Sequence, residues 1–211
     1  MILMMTKNKI TPILSYLDEL FPNAGCELEY KKDYELVIAV MLSAQTTDKS
    51  VNAVTRVLFA KYQTLEDLAK AELHDIGNII HSIGLYKHKA KNVLEIANKL
   101  LSDFNGKVPS DKDLLQTLPG VGNKTAGVIR AEIFKIPDLP VDTHILRISK
   151  RLCLAKEKDD ALAVEMKLKK LIPEDRWIKS HHQLIHFGRY FCTAINPQCE
   201  NCKIRDFCNK K

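Results

Sequence analysis

The chain has 211 residues and a formal net charge of +6, from 32 Lys and Arg against 26 Asp and Glu. With 45% hydrophobic residues it has the composition of a folded chain, and its length suits one large domain or two small ones without disulfide staples. The longest apolar run, Leu36 to Leu42, is too short to span a membrane, and Met1 to Met5 is too brief for a signal-peptide core, so a cytoplasmic protein with no membrane partner is expected. The positive balance alone is a weak pointer to nucleic acid, because a lysine-rich solvated surface gives the same number.

Gly and Pro number 8 each, few for a turn-rich sheet protein, and helical spacing dominates. Ile13, Leu14, Leu17, Leu20 and Phe21 share one helix face, broken by Pro22-Asn23-Ala24-Gly25. Asp33 is expected to cap a buried helix through Leu42. Asp48 precedes a helix whose face is Val51, Val54, Val57 and Leu58. Thr64-x-x-Asp67 and Ser110-x-x-Asp113 both read as helix starts, a capping side chain followed by an acid in the first turn. The clearest amphipathic helix holds Ala90, Val93, Leu94, Ala97, Leu100 and Leu101 and ends at Asn105-Gly106. Further helices are expected through Ala161, Val164, Leu168 and Leu171, stopped by Pro173, and from about Arg176 through Arg189. The segment from Ile83 to Ala90 loosely echoes Val121 to Ala126, each a glycine turn leading into a helix.

Leu118-Pro119-Gly120-Val121-Gly122 lies between two of these helices. Gly120 and Gly122 permit positive φ and close backbone approach, and the amides of such a turn, with the helix start behind it, suit a phosphate oxygen. This is the helix-hairpin-helix pattern, a sequence-independent grip on the DNA backbone, with Leu118 and Val121 pinning the turn. Lys124 follows in the first helical turn, where the helix dipole disfavours a cation. Two explanations stand side by side: contact with a phosphate, or nucleophilic chemistry by an amine whose lone pair the dipole and desolvation expose. Asp142, in Val141-Asp142-Thr143-His144, reads as a helix N-cap. Its carboxylate, aimed by that role, can also accept a proton or stabilise a cation opposite it.

Cys192, Cys199, Cys202 and Cys208 have six, two and five residues between them. Four thiolates so close call for a cation. Zinc sites with four cysteines usually use two short Cys-x-x-Cys pairs, and only one is present, so the spacing suits a [4Fe–4S] cube better than zinc. Arg189, Lys203 and Arg205 flank the ligands, and Lys203 and Arg205 offer a second phosphate contact. Cys26 and Cys153 are expected to be buried small hydrophobes.

The ordered set resembles the endonuclease III family, the bifunctional DNA glycosylases and AP lyases of the helix-hairpin-helix superfamily. The resemblance runs from about Thr11 to Cys208 and is carried by Leu42 to Asp48, Ile83 to Tyr86, Leu118 to Ala126, Val141 to His144, Phe187 to Tyr190 and the terminal cysteines. It implies an all-α fold of two helical domains flanking a DNA-binding cleft. One is a six-helix barrel carrying the helix-hairpin-helix, residues 26–136. The other, residues 1–25 with 137–211, carries the [4Fe–4S] cluster. It implies a monomer acting on double-stranded DNA with damaged bases or abasic sites, nucleoid-associated if bacterial. Lys124 is then the nucleophile on the sugar C1′, with Asp142 as its proton acceptor. Gln45 fills the space left by the flipped nucleotide, Leu85 wedges the opposite strand, and His144 lines the lesion pocket. The cluster is structural by this reading, with a DNA-sensing redox role as the alternative.

Two positions depart from the family pattern. Asn123 stands where many relatives carry a basic residue, and Gly127 where Asn is frequent. A monofunctional mismatch glycosylase of the same superfamily is the nearest rival; it lacks a lysine at the position of Lys124, and the adenine enzymes add a long C-terminal domain. A non-catalytic DNA-binding module is the other rival, and it has no use for the carboxylate of Asp142.

Overall fold

The computed structural model describes residues 2–209, with side chains from residue 9 onward. The side chains of Met1 to Met5 lie outside that range. Among the described residues there is no strand. The chain divides into two units, Met1–Cys26 with Pro137–Lys211, and Glu27–Ile136.

The unit Glu27–Ile136 is organised around one helix. After α1 (Ile2–Leu20), which belongs to the other unit, α2 (Asp33–Leu42) is buried from Tyr34 through Leu42, as its unbroken apolar run requires. Its first turn is closed by Glu35, whose Oε2 accepts from the amides of Lys31 (2.7 Å) and Lys32 (3.2 Å). The expected cap at Asp33 is therefore corrected. Asp33 is the first helical residue, and a longer carboxylate three positions into the helix reaches back over it.

α3 (Asp48–Lys61) starts at Thr47, whose Oγ1 accepts from Ser50 N–H (3.2 Å). It buries Val51, Val54 and Leu58, but Val57 is 55% exposed, because six residues from Val51 carry it round to the opposite side. α4 (Leu65–Ala69) has the reciprocal Thr64–Asp67 capping box. α5 (Leu73–Ile79) and α4 both pack on α6 (Tyr86–Phe104). α6 buries Ala90, Val93, Ile96, Ala97 and Leu100. It ends where predicted: Asn105 and Gly106 take φ 53° and 74°, and Gly106 N–H donates back to Leu100 O (2.8 Å). α7 (Lys112–Gln116) is capped by Asp111, which accepts from Asp113 and Leu114 N–H (2.9 Å each). The expected cap at Ser110 is corrected: the helix starts one residue later, which puts Asp111 at the N-cap with both amides on its Oδ1. α8 (Asn123–Phe134) packs on α2 and α7.

In the other unit, α1 joins α9 (Thr143–Arg151), α10 (Ala161–Leu171) and α11 (Trp177–His186), and α11 runs on into a π turn at Phe187–Phe191. Their common core includes Ile13, Leu17, Ile145, Ile148, Leu168 and Phe187. Cys153 is a correction. It is exposed, two residues past the end of α9 with φ 57°, a backbone conformation that turns its side chain away from the core. Cys26 is only half-buried.

α1 is tied to α11 by Asp18, which pairs with Lys179 (2.7 Å), accepts from Gln183 Nε2 (3.0 Å) and pairs with Arg176 (3.0 Å). These donors, the Lys179 ammonium foremost, hold the Asp18 carboxyl at about 2, below its ordinary 3.8. A carboxylate whose pKa is depressed on folding stabilises the fold above its unfolded value and loses that contribution as pH falls through its folded value. Asp18→Asn is therefore expected to lower the melting temperature most above pH ~4, with the gap to wild type closing toward pH ~2. Parallel thermal melts across that range check it; a gap that widens on acidification would contradict the assignment.

Candidate active site

The turn between α7 and α8 is closed by its own backbone. Leu118 N–H donates to Leu115 O (3.0 Å) and Val121 N–H to Leu118 O (3.1 Å), with both Leu118 and Val121 buried beneath it. Of its two glycines, only Gly120 needs to be one for conformation. Its φ is +75°, and a Cβ there would stand 2.7 Å from Asn92 Nδ2 and 2.9 Å from Met41 Cγ. Gly122 has φ −92° and open space around its Cα, so its backbone is accessible from outside. Left-handed backbone costs an L-residue about 1–2 kcal/mol. Gly120→Ala is therefore expected to lower the melting temperature by about 2–8 °C, more if Met41 cannot give way. Gly122→Ala should leave it within about a degree in the same scan, since it fills empty space. Equal losses at the two positions would contradict this account of the turn.

No side chain caps α8 at Gly122, and no acid lies in its first turn. Its opening peptide groups thus keep their positive end toward the turn. Lys124, the second residue of α8, is exposed there. Gly127, one turn on, is buried in α8.

Gln45 and Leu85 belong to this same unit and share an unusual backbone. Both are non-glycine residues in the left-handed region, with φ 54° and 59°. Such conformations persist only where the surroundings impose them. Leu85 sits immediately before α6 and is 60% exposed, which excludes core packing as its reason. Gln45 is exposed in the turn after α2.

In the terminal unit, Asp142 is the N-cap of α9, and its Oδ1 accepts from Ile145 N–H (2.8 Å). That bond fixes a half-buried carboxylate at the helix start. His144 follows in the first turn. Burial, more than any neighbour, pushes its ring below the usual imidazole range; the Asp142 carboxylate opposes this, and Arg147 and Arg189 add to it. Gly188 lies against it: a Cβ at 188 would come 2.8 Å from His144 Cβ and 2.9 Å from Ile148 Cδ1. The glycine is what lets the π turn press on α9.

The four cysteines line one pocket, together with Phe187, Phe191 and Arg205. Among the described residues no three His, Cys, Asp or Glu side chains converge closely enough for a single metal ion. The four thiols line one shared space, which suits a multi-atom cluster. Burial raises the Cys202 thiol above its ordinary value. The Ile204 amide opposes this, while Cys192, Cys208 and Cys199 add to it. Four thiolates there need a positively charged guest, so the donor set fits a [4Fe–4S] group. Lys203 is exposed and paired with Glu19. Arg205 is exposed at the cavity rim.

Two residues of this site were not anticipated. Arg147 donates to Gly188 O (2.8 Å) and Cys192 O (3.1 Å). Arg151 donates to Thr193 O (2.8 Å) and reaches Cys192 Sγ at 3.3 Å. Both lie on α9, so one helix carries Asp142 at its start and grips the first cysteine with its far end. The signal was present as a stripe of His144, Arg147 and Arg151 at helical spacing, but nothing local says what such a stripe faces.

Residues 38–174 match a family model described as HhH-GPD superfamily base excision DNA repair protein, which defines the class. Residues 192–208 match one described as the iron-sulfur binding domain of endonuclease III. The endonuclease III of Bacillus subtilis strain 168 is 44% identical over 207 residues, covering 98% of this chain and 94% of that protein. That of Escherichia coli K12 is 41% identical, with 98% of each covered. A solved structure of a trapped endonuclease III–DNA covalent intermediate superimposes with a TM-score of 0.92 at 45% identity, covering 96% of this chain and 95% of that one. The chain belongs to the endonuclease III family: a DNA glycosylase and AP lyase of base excision repair that carries a [4Fe–4S] cluster.

Proposed function

We propose that the chain removes oxidised pyrimidines, such as thymine glycol, from duplex DNA with Lys124 as nucleophile and Asp142 as its proton acceptor. Two observations carry this, one in each unit: an exposed lysine at the uncapped start of α8, and a carboxylate aimed by its own helix cap at the start of α9. The electropositive helix start favours an amine over an ammonium, which frees the lone pair. The damaged nucleotide leaves the stack, and its saturated ring makes that step cheaper. The Lys124 amine attacks C1′, the C1′–base bond breaks, and the base departs with its electron pair and takes a proton from water. Asp142 takes the proton shed by the lysine nitrogen and stabilises the positive charge on the sugar. As the nitrogen lone pair opens the C1′–O4′ bond, O4′ takes that proton back from Asp142 and the sugar becomes an open-chain Schiff base, which acidifies the C2′ hydrogen. Loss of that proton expels the 3′ phosphate, and water releases Lys124 from the cut product.

Around this chemistry the backbone amides of Gly120 and Gly122 hold a phosphate, with Val121 between them closing the turn through its own amide, Gln45 and Leu85 fill and wedge the opened stack, and His144 lines the base pocket. Cys192, Cys199, Cys202 and Cys208 hold the cluster, which shapes the loop presenting Lys203 and Arg205 to a second stretch of backbone. The Lys203–Glu19 pair is solvent-exposed and therefore weak, so a phosphate can displace Glu19. No described helix is long and apolar enough to cross a membrane, and the reading places the protein in the cytoplasm, on the nucleoid in a bacterium.

The test is a panel of duplexes, each carrying one lesion, with base release and strand cleavage scored separately. Oxidised pyrimidines should give both. Base release without cleavage would instead identify a monofunctional enzyme. Binding to the same duplexes should weaken steeply with salt as counterion release loses its drive, and Gly122→Ala should weaken it at every salt concentration.

A further inference from the structure

Lys89 is a buried cation that the mechanism leaves unused. It lies in the first turn of α6, four residues after Leu85, and is 4% exposed. Its Nζ donates to Ala44 O (2.8 Å) and to Thr46 Oγ1 (2.9 Å), the residues on either side of Gln45. Its own amide donates to Leu85 O (3.0 Å). One side chain is thus bonded to both flanks of the left-handed residue Gln45, while its backbone is bonded to the left-handed residue Leu85.

We infer that Lys89 is a positioning residue that locks the Gln45 turn and the Leu85 turn into a single preset wedge for the opened DNA stack. The inference rests on the proposed stack-filling role of Gln45 and Leu85. A buried ammonium held by two uncharged acceptors is a poor device for stability, since burial itself pushes it toward the neutral amine. A methionine of similar reach would pack as well. What an apolar side chain cannot do is hold two acceptors that straddle a strained residue. Gln45 and Leu85 come from turns some forty residues apart in sequence, and both must enter the duplex while one nucleotide is out of it. Fixing their separation beforehand removes the entropy of bringing them into register at the moment of flipping.

The test uses a duplex with a tetrahydrofuran abasic analogue, which cannot form an imine, and 2-aminopurine in the facing strand as a reporter of unstacking. In stopped flow, Lys89→Met is expected to slow the fluorescence rise about tenfold, and to slow base release from a thymine glycol duplex by a similar factor. Borohydride trapping on single-stranded abasic DNA, which has no stack to fill, should stay within about twofold of wild type. Adding Gln45→Ala to Lys89→Met should cost little beyond Gln45→Ala alone, because the two act through one element. Normal fluorescence with Lys89→Met, an equal loss on single strands, or multiplicative losses in the double variant would overturn the inference. If Lys89→Met fails to fold by circular dichroism, Thr46→Val removes one of the two acceptors and must show the same duplex-specific defect. Wild-type fluorescence with Gln45→Ala and Leu85→Ala would instead sink the stack-filling role itself. Defects there with Lys89→Met normal sink only the lock.

Discussion

Lys124→Ala is expected to abolish borohydride trapping on abasic DNA and to lower strand cleavage about a thousandfold or more, while duplex binding falls only a few-fold. A nucleophile that forms the covalent intermediate has no substitute at the same position, and its loss costs far more than a binding contact. If Lys124 served only as a phosphate contact, its removal would lower affinity, reduce the salt slope by about one and leave trapping in place. The two outcomes differ in kind. Trapping undiminished in the variant would remove the mechanism. The companion change is Asp142→Asn. Asn caps helices about as well as Asp, so the bond to Ile145 N–H survives and the melting temperature should hardly move. What disappears is the negative charge and the proton acceptor, with an expected loss of about 10²–10⁴-fold in base release. A large drop in stability with little loss of rate would assign Asp142 to the cap alone.

Removing the cluster is the second large effect. Iron and sulfide should each be near four per chain in anaerobic preparations, and stoichiometric zinc would overturn the assignment. Chelating the iron, or changing Cys202 to Ser, should release the loop from Cys192 to Cys208. Arg147 and Arg151 keep its start pinned, and beyond Cys199 it is tied by Tyr16 Oη donating to Asn201 O (3.1 Å) and by the exposed Lys203–Glu19 pair. It contains two short 3₁₀ turns, Cys199–Asn201 and Arg205–Phe207, and one well-buried apolar anchor, Ile204. Lys203 and Arg205 go with it, so duplex affinity at low salt should fall about tenfold or more through two lost cationic contacts. Phe187 and Ile148 remain packed in the helical core, so the far-ultraviolet helical signal should persist. Affinity unchanged after cluster loss would separate the loop from DNA binding.

The elements read correctly from sequence share one property: their determinants lie within a few residues. The Thr64–Asp67 box, the Asn105–Gly106 stop and the Asp142 cap are each closed by partners at most six positions away. The misread details are of two kinds. At Asp33 and Ser110 a carboxylate one or two positions further on made the bond, and only the backbone's turn decides which oxygen reaches. At Val57 and Cys153 the residue type suggested burial, but helix phase and a left-handed backbone pointed the side chains outward.

By itself the sequence determined the helical architecture, the glycine hairpin with its lysine, and a cysteine set too widely spaced for paired zinc knuckles. Each follows from local spacing, which a linear string preserves. Only the tertiary structure decided that Gly120 and not Gly122 is conformationally obligatory, since the obstacle is Asn92 and Met41 from other helices. Only it decided that Leu85 is exposed, that Arg151 reaches Cys192, and that Lys89 bonds both sides of Gln45. Those partners lie about forty residues apart in the chain. The driving force that joins them is burial shared by whole helices, which no short window of residues contains.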